Sequence, residues 1–296
     1  MDPRLLRSLL RPSEPYTGDL SGFFRTWRQG ATGEERPIDA AIRGGLLADR
    51  LGYAFAAGYR SALAALLPDG EGVASLCITE AEGGHPRAIR TRVELGERSL
   101  LLNGEKLWST LAESGEYLAV LASTGWVGDE NRLTLLRVPV GSPGLRLEPL
   151  AELPFAPEIG HYRVEMVDVQ VPLEMVFLGD AYPRYVKPFR TVEDIFVSAA
   201  TLSMLLGVGR DWSEPFRLRL LSLLLVFRQL SALPPEDPGL HVALAGAQAQ
   251  LQDCLAAADW SVLPEEVAAR WRRDAPLLGV AGKARKLRLE RARERL

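Results

Sequence analysis

Residues 73–110 read VASLCITEAEGGHPRAIRTRVELGERSLLLNGEKLWST, and the period of this stretch decides the fold. Its apolar and β-branched residues fall into short runs, VASLCIT, TRVEL and SLLL, with Gly83-Gly84, Leu95-Gly96-Glu97-Arg98 and Asn103-Gly104 between them. The second and third of these separators have the composition of hairpin turns. The pattern continues downstream in EYLAVLAS (116–123), RLTLLRV (132–138) and YRVEMVDVQV (162–171). In the last run Arg163, Glu165, Asp168 and Gln170 alternate with apolar neighbours, which predicts one wet and one buried face. Six or more strands with no helix between them predict an antiparallel barrel or sandwich rather than a βαβ sheet.

On both sides the period changes to that of a helix. Ile38–Leu67 is rich in Ala and Leu at helical spacing, with Pro68-Asp69-Gly70 as its stop. After the strands, helices are predicted over 191–207, 213–230, 240–260, 264–271 and 283–295, with Pro234-Pro235 and Pro264 at junctions. The expectation is an α+β multidomain chain: a short helical domain over 1–72, a β domain over 73–182 and a helical bundle over 183–296.

Composition narrows the function class. The chain has 296 residues, a net charge of −3 and 47% hydrophobic residues, as expected of a globular protein able to bury a large core without staples. Two distant cysteines exclude a disulfide framework, and three scattered histidines offer no metal-ligand spacing, so no metal site is expected. The N-terminus lacks the sustained apolar core of a signal peptide. The apolar stretch 220–227 is too short to span a bilayer, which needs about 20 residues. No membrane association is expected, and a cytoplasmic location is. Residues 270–296 carry a net charge of +7. With almost no interleaved aromatics, and with the rest of the chain acidic, they read as a solvated helix end rather than a nucleic-acid surface.

Three stretches resemble, in order and in register, the middle domain of the acyl-CoA dehydrogenase family. They are Cys77-Ile78-Thr79-Glu80 with its Gly-rich turn and Ile89-Arg90-Thr91; Asn103-Gly104-Glu105-Lys106-Leu107-Trp108-Ser109-Thr110; and Val167-Asp168-Val169-Gln170-Val171-Pro172 followed by Leu178-Gly179. Near the C-terminus, Arg272-Arg273-Asp274-Ala275-Pro276-Leu277, then Gly282 and a basic helix ending in Ala292-Arg293, is similar to the family's closing segment. The resemblance implies an N-terminal helical domain, a middle antiparallel β-barrel and a C-terminal helical bundle. It also implies FAD, an acyl thioester carried on CoA or on a carrier protein, and an oligomer, either of this chain or with a homologue. The implied reaction is α,β-dehydrogenation: a carboxylate removes the α proton and the flavin accepts the β hydride.

Residue by residue, the resemblance places Thr79, Trp108 and Thr110 on the flavin ring. Read on their own, Trp108 is a core aromatic and the two threonines are strand formers. On the phosphate side the chain departs from the family. His85-Pro86 replaces a Ser-Asp pair, the Gly-rich loop before the last helices is absent, and Arg210 alone remains of an FAD-contacting loop. The family's usual base position is Ala281. The alternative position, early in the first bundle helix, is Glu193, which is the candidate base. Read on their own, Glu193 and Asp194 are helix-start acids behind a Thr191 cap. The second expectation is therefore a shortened subunit that has lost FAD and serves as scaffold or partner to an active homologue, and a third is a flavin-free thioester-binding protein.

Overall fold

The computed structural model describes residues 1–31, 35–67 and 72–296. Pro68, Asp69 and Gly70, expected to stop a helix, lie outside the described residues. The chain forms two compact units. One comprises Met1–Ala62, Pro154–Glu158 and Arg190–Leu296, and the other Leu63–Leu153 and Ile159–Phe189.

The first unit is helical. It holds α1 (Pro3–Leu10), α2 (Leu20–Gln29), α3 (Pro37–Leu47) and the start of α4 (Leu51–Leu66). It also holds most of α5 (Lys187–Val208), then α6 (Glu214–Leu230), α7 (Pro238–Ala257), α8 (Glu265–Asp274) and α9 (Gly282–Arg293). The starts are chemically marked. The Asp2, Asp19 and Asp237 carboxylates accept hydrogen bonds from first-turn backbone N–H groups of α1, α2 and α7. Proline, which has no N–H to lose there, stands in the first turn of α1, α3, α6 and α7.

The periodic stretch 38–67 is two helices, not one. Ala48 turns extended after α3 and bridges Tyr16, whose N–H donates to the Leu47 carbonyl at 2.8 Å. Asp49, buried in the break, accepts from Arg50 at 2.6 Å and from Arg270 at 2.6 Å. That pairing is long-range, so no local period announces it. Tyr182–Val208 is long and apolar enough to cross a membrane by length and composition, in contrast to the expectation of no such stretch. However, 83% of its most apolar 18-residue window is buried inside the protein, as in a core helix.

Glycine permits the close packing on α5. A Cβ on Gly45 of α3 would stand 2.1 Å from the Ala200 carbonyl oxygen, and one on Gly58 of α4 would stand 2.7 Å from the Val197 Cα. Both obstacles are backbone and cannot move aside.

The second unit is built on a sheet of eight strands among the described residues: β1 (Val73–Cys77), β2 (Arg92–Leu95), β3 (Leu100–Thr110), β4 (Tyr117–Val127), β5 (Glu130–Pro139), β6 (Leu145–Pro149), β7 (His161–Val171) and β8 (Val176–Phe177). The order is β6-β7-β3-β2-β4-β5-β8, with β1 also paired to β4. Leu102, Leu118, Val120, Leu136, Val138, Val164 and Val169 lie in its core.

Two features depart from the expected antiparallel barrel. No pairing among the described residues joins the end strands β6 and β8, so the sheet is open. In addition, β1 and β2 both run parallel to β4, because the Gly-rich segment between them crosses over instead of closing a hairpin. The turn at Gly96 forms as expected, its N–H donating to the Ser99 carbonyl at 2.8 Å. Asn103-Gly104 is not a turn but an irregularity inside β3. Gly104 has φ +144°, with Thr91 where a side chain would be, and the Asn103 amide pairs with Asp168. Asp168, at φ +51°, resets the alternation of β7, so that Val169 and Val171 face inward as Val164 and Met166 do.

The packing argument predicts opposite signs for two glycine substitutions in denaturant unfolding. Gly45→Ala destabilises by about 1–3 kcal/mol through overpacking. Gly246→Ala, in α7 with nothing within 4 Å of its Cβ, stabilises by roughly 0.5–1 kcal/mol.

Candidate functional site

In the sheet unit the candidate residues gather at a bulge in β3. Lys106 pairs with Val164 and Ser109 with Tyr162, so β3 holds one more residue than β7 over this step. The extra residue is absorbed at Leu107-Trp108. Trp108 takes φ +58°, a conformation a bulky side chain adopts only under constraint, at roughly 1–3 kcal/mol. The bulge turns its indole outward, and Trp108 is 53% exposed, so it is not the core aromatic that a bare strand reading suggests. The Leu107 N–H donates to the Thr79 carbonyl at 2.7 Å and ties the bulge to the segment after β1.

Thr110 faces His161 across the ladder, and the His161 ring meets Trp108 edge-on with centroids 5.9 Å apart. Burial lowers the His161 pKa against a smaller opposing effect of the Ile159 backbone, so the ring is neutral at neutral pH. Thr79 and Thr110 are half-buried, and neither hydroxyl has a side-chain hydrogen bond among the described residues. The sheet unit thus presents an indole, an imidazole and two hydroxyls in a strained, partly open setting. His161 had no assigned part in the sequence reading; its cross-strand register with Thr110 is what reveals it.

A buried ion pair underlies this surface. The Lys106 side chain is 0% exposed and donates to Glu80 Oε1 at 2.6 Å and to the Ile78 carbonyl at 3.3 Å. Glu80 also accepts the backbone N–H groups of Arg90 at 2.6 Å and Thr91 at 3.0 Å. Burial pushes the Glu80 carboxyl up, but Lys106 and the backbone donors outweigh it and hold the group below its usual range. For Lys106 burial prevails over Glu80 and lowers the pKa. Both residues lie within the quoted motifs, yet nothing in their spacing announces the pair.

α5 continues from a π-turn over Tyr182–Val186 without a break, so Glu193 lies inside the helix and Thr191 is not its cap. The Glu193 side chain is 14% exposed and accepts from Arg190 at 3.2 Å. Burial is the main cause that raises its pKa, to about 7; Arg190 opposes the shift and Asp194 adds to it. Asp194 accepts from Arg285 at 2.7 and 3.0 Å and from Arg288 at 2.7 Å. Two cations of the basic C-terminal stretch are thereby paired within the fold. Arg210 is paired as well: both Glu14 oxygens accept from it, at 2.7 and 2.6 Å. Trp260, just before Ser261–Pro264, packs edge-on against Trp212 and stacks on Trp271 with centroids 4.6 Å apart. A groove of about 760 Å³ in the sheet unit, lined by His85, Arg87, Asn131 and Tyr182, includes none of the five candidate residues.

No family model matches the chain, and no curated protein matches it in sequence. Solved structures do match. Butyryl-CoA dehydrogenase from Megasphaera elsdenii superposes with a TM-score of 0.64 at 13% identity, over 92% of this chain and 86% of that one. The fold is that of an acyl-CoA dehydrogenase. A chain from the electron transferring flavoprotein structure of Acidaminococcus fermentans gives 0.64 at 12% identity, over 90% and 84%. The FAD complex of PigA gives 0.60 at 13% identity, over 89% and 84%. At such identities the likeness to these flavoproteins is one of acyl-CoA dehydrogenase architecture, and chemistry rests on the residues themselves.

The placement of Glu193 predicts a pH signature. Its folded-state pKa of about 7 lies above the ordinary value of 4.5. Its contribution to stability is therefore fully present below pH 4.5 and is lost as pH rises through 7. Glu193→Gln removes that loss. The stability of the variant relative to wild type should rise by up to about 3 kcal/mol between pH 4 and pH 8 in urea unfolding. A difference independent of pH would place the carboxyl in water.

Proposed function

We propose that the chain is a divergent flavoprotein of acyl-CoA dehydrogenase type, acting on an acyl thioester held by CoA or by a carrier protein. The observation that carries this reading is the Trp108 bulge: a tryptophan held at φ +58° with its indole outward, near two threonines whose hydroxyls have no hydrogen-bond partner among the described residues. Strain of this kind is retained where a surface is shaped for a ligand. The aromatic face and the two hydroxyls suit an isoalloxazine ring: Trp108 would cover it and exclude water, and Thr79 and Thr110 would hydrogen-bond its polar edge.

FAD, when bound, supplies the acceptor for the hydride that leaves the β carbon. Glu193 supplies the base, and the α proton passes to its carboxylate. With a pKa near 7 the group is divided between its two forms at neutral pH, which suits a residue that takes up a proton and releases it again. The three-domain division at 72 and 182 and assembly with a second copy or a homologue belong to the same proposal.

One observation favours the alternative of an FAD-poor partner subunit. Arg210, the remaining candidate for the phosphate side, is held by Glu14 through two hydrogen bonds. The two readings separate on colour. Purified protein incubated with FAD and desalted should keep the flavin absorbance, and an acyl thioester should bleach it under anaerobic conditions. Glu193→Gln should keep the colour and slow the bleaching by about 10²–10⁴-fold. Protein that stays colourless rules out the flavoprotein reading and leaves the partner subunit or a flavin-free thioester-binding protein. Colour with unchanged bleaching removes Glu193 from the reaction.

A further inference from the structure

Two carboxylates stand side by side on α5, and the fold treats them differently. Consecutive helical residues point about 100° apart. Asp194 lies toward α9, where the Arg285 and Arg288 guanidinium groups take both of its oxygens. Glu193 is turned to another side of the helix and lies by Arg190, one turn back. The grip extends beyond Asp194. Arg288 also donates to the Arg190 carbonyl at 3.3 Å and to Thr191 Oγ1 at 3.4 Å, and Arg285 donates to the Leu278 carbonyl at 2.6 Å. Two arginines therefore close on residues 190–194 and tie them to the turn that precedes α9. The pairs are largely withdrawn from water, with Asp194 8% and Arg288 14% exposed, where charge-assisted hydrogen bonds are strong and directional.

We propose that Arg285 and Arg288 are positioning residues for Glu193: by holding Asp194 they fix the rotation of α5 about its axis, and so the direction in which the neighbouring carboxyl points. The charged groups that act on Glu193 are Arg190 and Asp194 on its own helix and Arg285 on α9, with Arg288 bonded to Asp194 beside it. Neighbouring carboxyl groups placed in contrasting surroundings are a recurrent way of giving one a fixed structural part and the other a titrating one. The basic C-terminal helix thereby acquires a definite task. That this direction matters for turnover rests on the reading of Glu193 as base; that it is set by α9 does not.

The test keeps charge and changes geometry. Lysine preserves the positive charge but cannot form the planar two-pronged bond of arginine. In the full-length double variant Arg285→Lys/Arg288→Lys, the Glu193 titration is followed by carboxyl-carbon NMR, with Glu193→Gln assigning the signal. If the grip sets its direction, the released carboxyl gains water and its midpoint falls from about 7 toward 4.5, by about one unit or more. A midpoint that stays at the wild-type value while the melting temperature drops makes the grip a mere staple and overturns the proposal. Should the double variant not fold, Arg288→Lys alone is read by the same criterion. A second readout uses the flavin-loaded protein: kcat for flavin reduction should fall at least ten-fold with KM little changed. If Glu193→Gln leaves reduction untouched, the base assignment fails, and the NMR midpoint still decides the positioning.

Discussion

An ammonium group taken wholly out of water must have a partner, and the sheet unit is organised around that requirement at Lys106. Its pairing with Glu80 joins β3 to the Gly-rich segment that leaves β1. Glu80 then draws in the backbone N–H groups of Arg90 and Thr91, so one carboxylate closes both ends of the crossover. Removing either partner alone would leave a buried charge, at about 3–5 kcal/mol. The strain at Trp108 becomes intelligible in this light. The bulge begins one residue after Lys106, and the Leu107 N–H is held by Thr79, one residue before Glu80. A conformation that the tryptophan would not choose is stabilised from below by a network that has no freedom to relax.

The helical unit uses charge in a comparable way. Asp49 fills the break between α3 and α4 with Arg50 and Arg270, Asp194 gathers Arg285 and Arg288, and Asp274, fully buried, accepts from the Ala156 N–H at 2.8 Å. Each aspartate secures a place where helical hydrogen bonding is interrupted or two segments meet. Glu193 differs in that its one hydrogen-bonding arginine, Arg190, with a smaller pull from Arg285, does not offset its burial. That imbalance is what lifts its pKa into the range of a useful base.

Much of the fold was legible because its signals are local. The runs at 73–77, 92–95, 100–110, 117–127, 130–139 and 161–171 form strands, and the five later helices appear close to their expected spans. The resemblance carried by the motifs around Thr79 and Trp108 led to the observed architecture. What escaped was long-range or backbone-determined. The break at Ala48–Arg50 depends on partners far along the chain, and Asn103-Gly104, a turn by composition, serves as a bulge because Asp168 and Thr91 meet it there. The parallel course of β1 and β2 depends on a crossover whose anchor is a Lys–Glu pair 26 residues apart. β6 and the two-residue β8 are too short or too exposed for a period to show. Of the site, the motifs supplied the residues but not their surroundings. The outward indole, the adjoining His161, the arginine grip on Asp194 and the pairing of Arg210 with Glu14 all come from contacts with no sequence spacing to betray them.

The central claim is that the outward-turned Trp108 is a flavin-facing surface, and its most direct measurement is tryptophan fluorescence during titration with FAD. The account predicts saturable quenching in the wild-type protein, and loss of a defined fraction of that quenching in Trp108→Phe, with the other five tryptophans responding as before. Absence of saturable quenching in the wild type, or an unchanged titration in the variant, would contradict it.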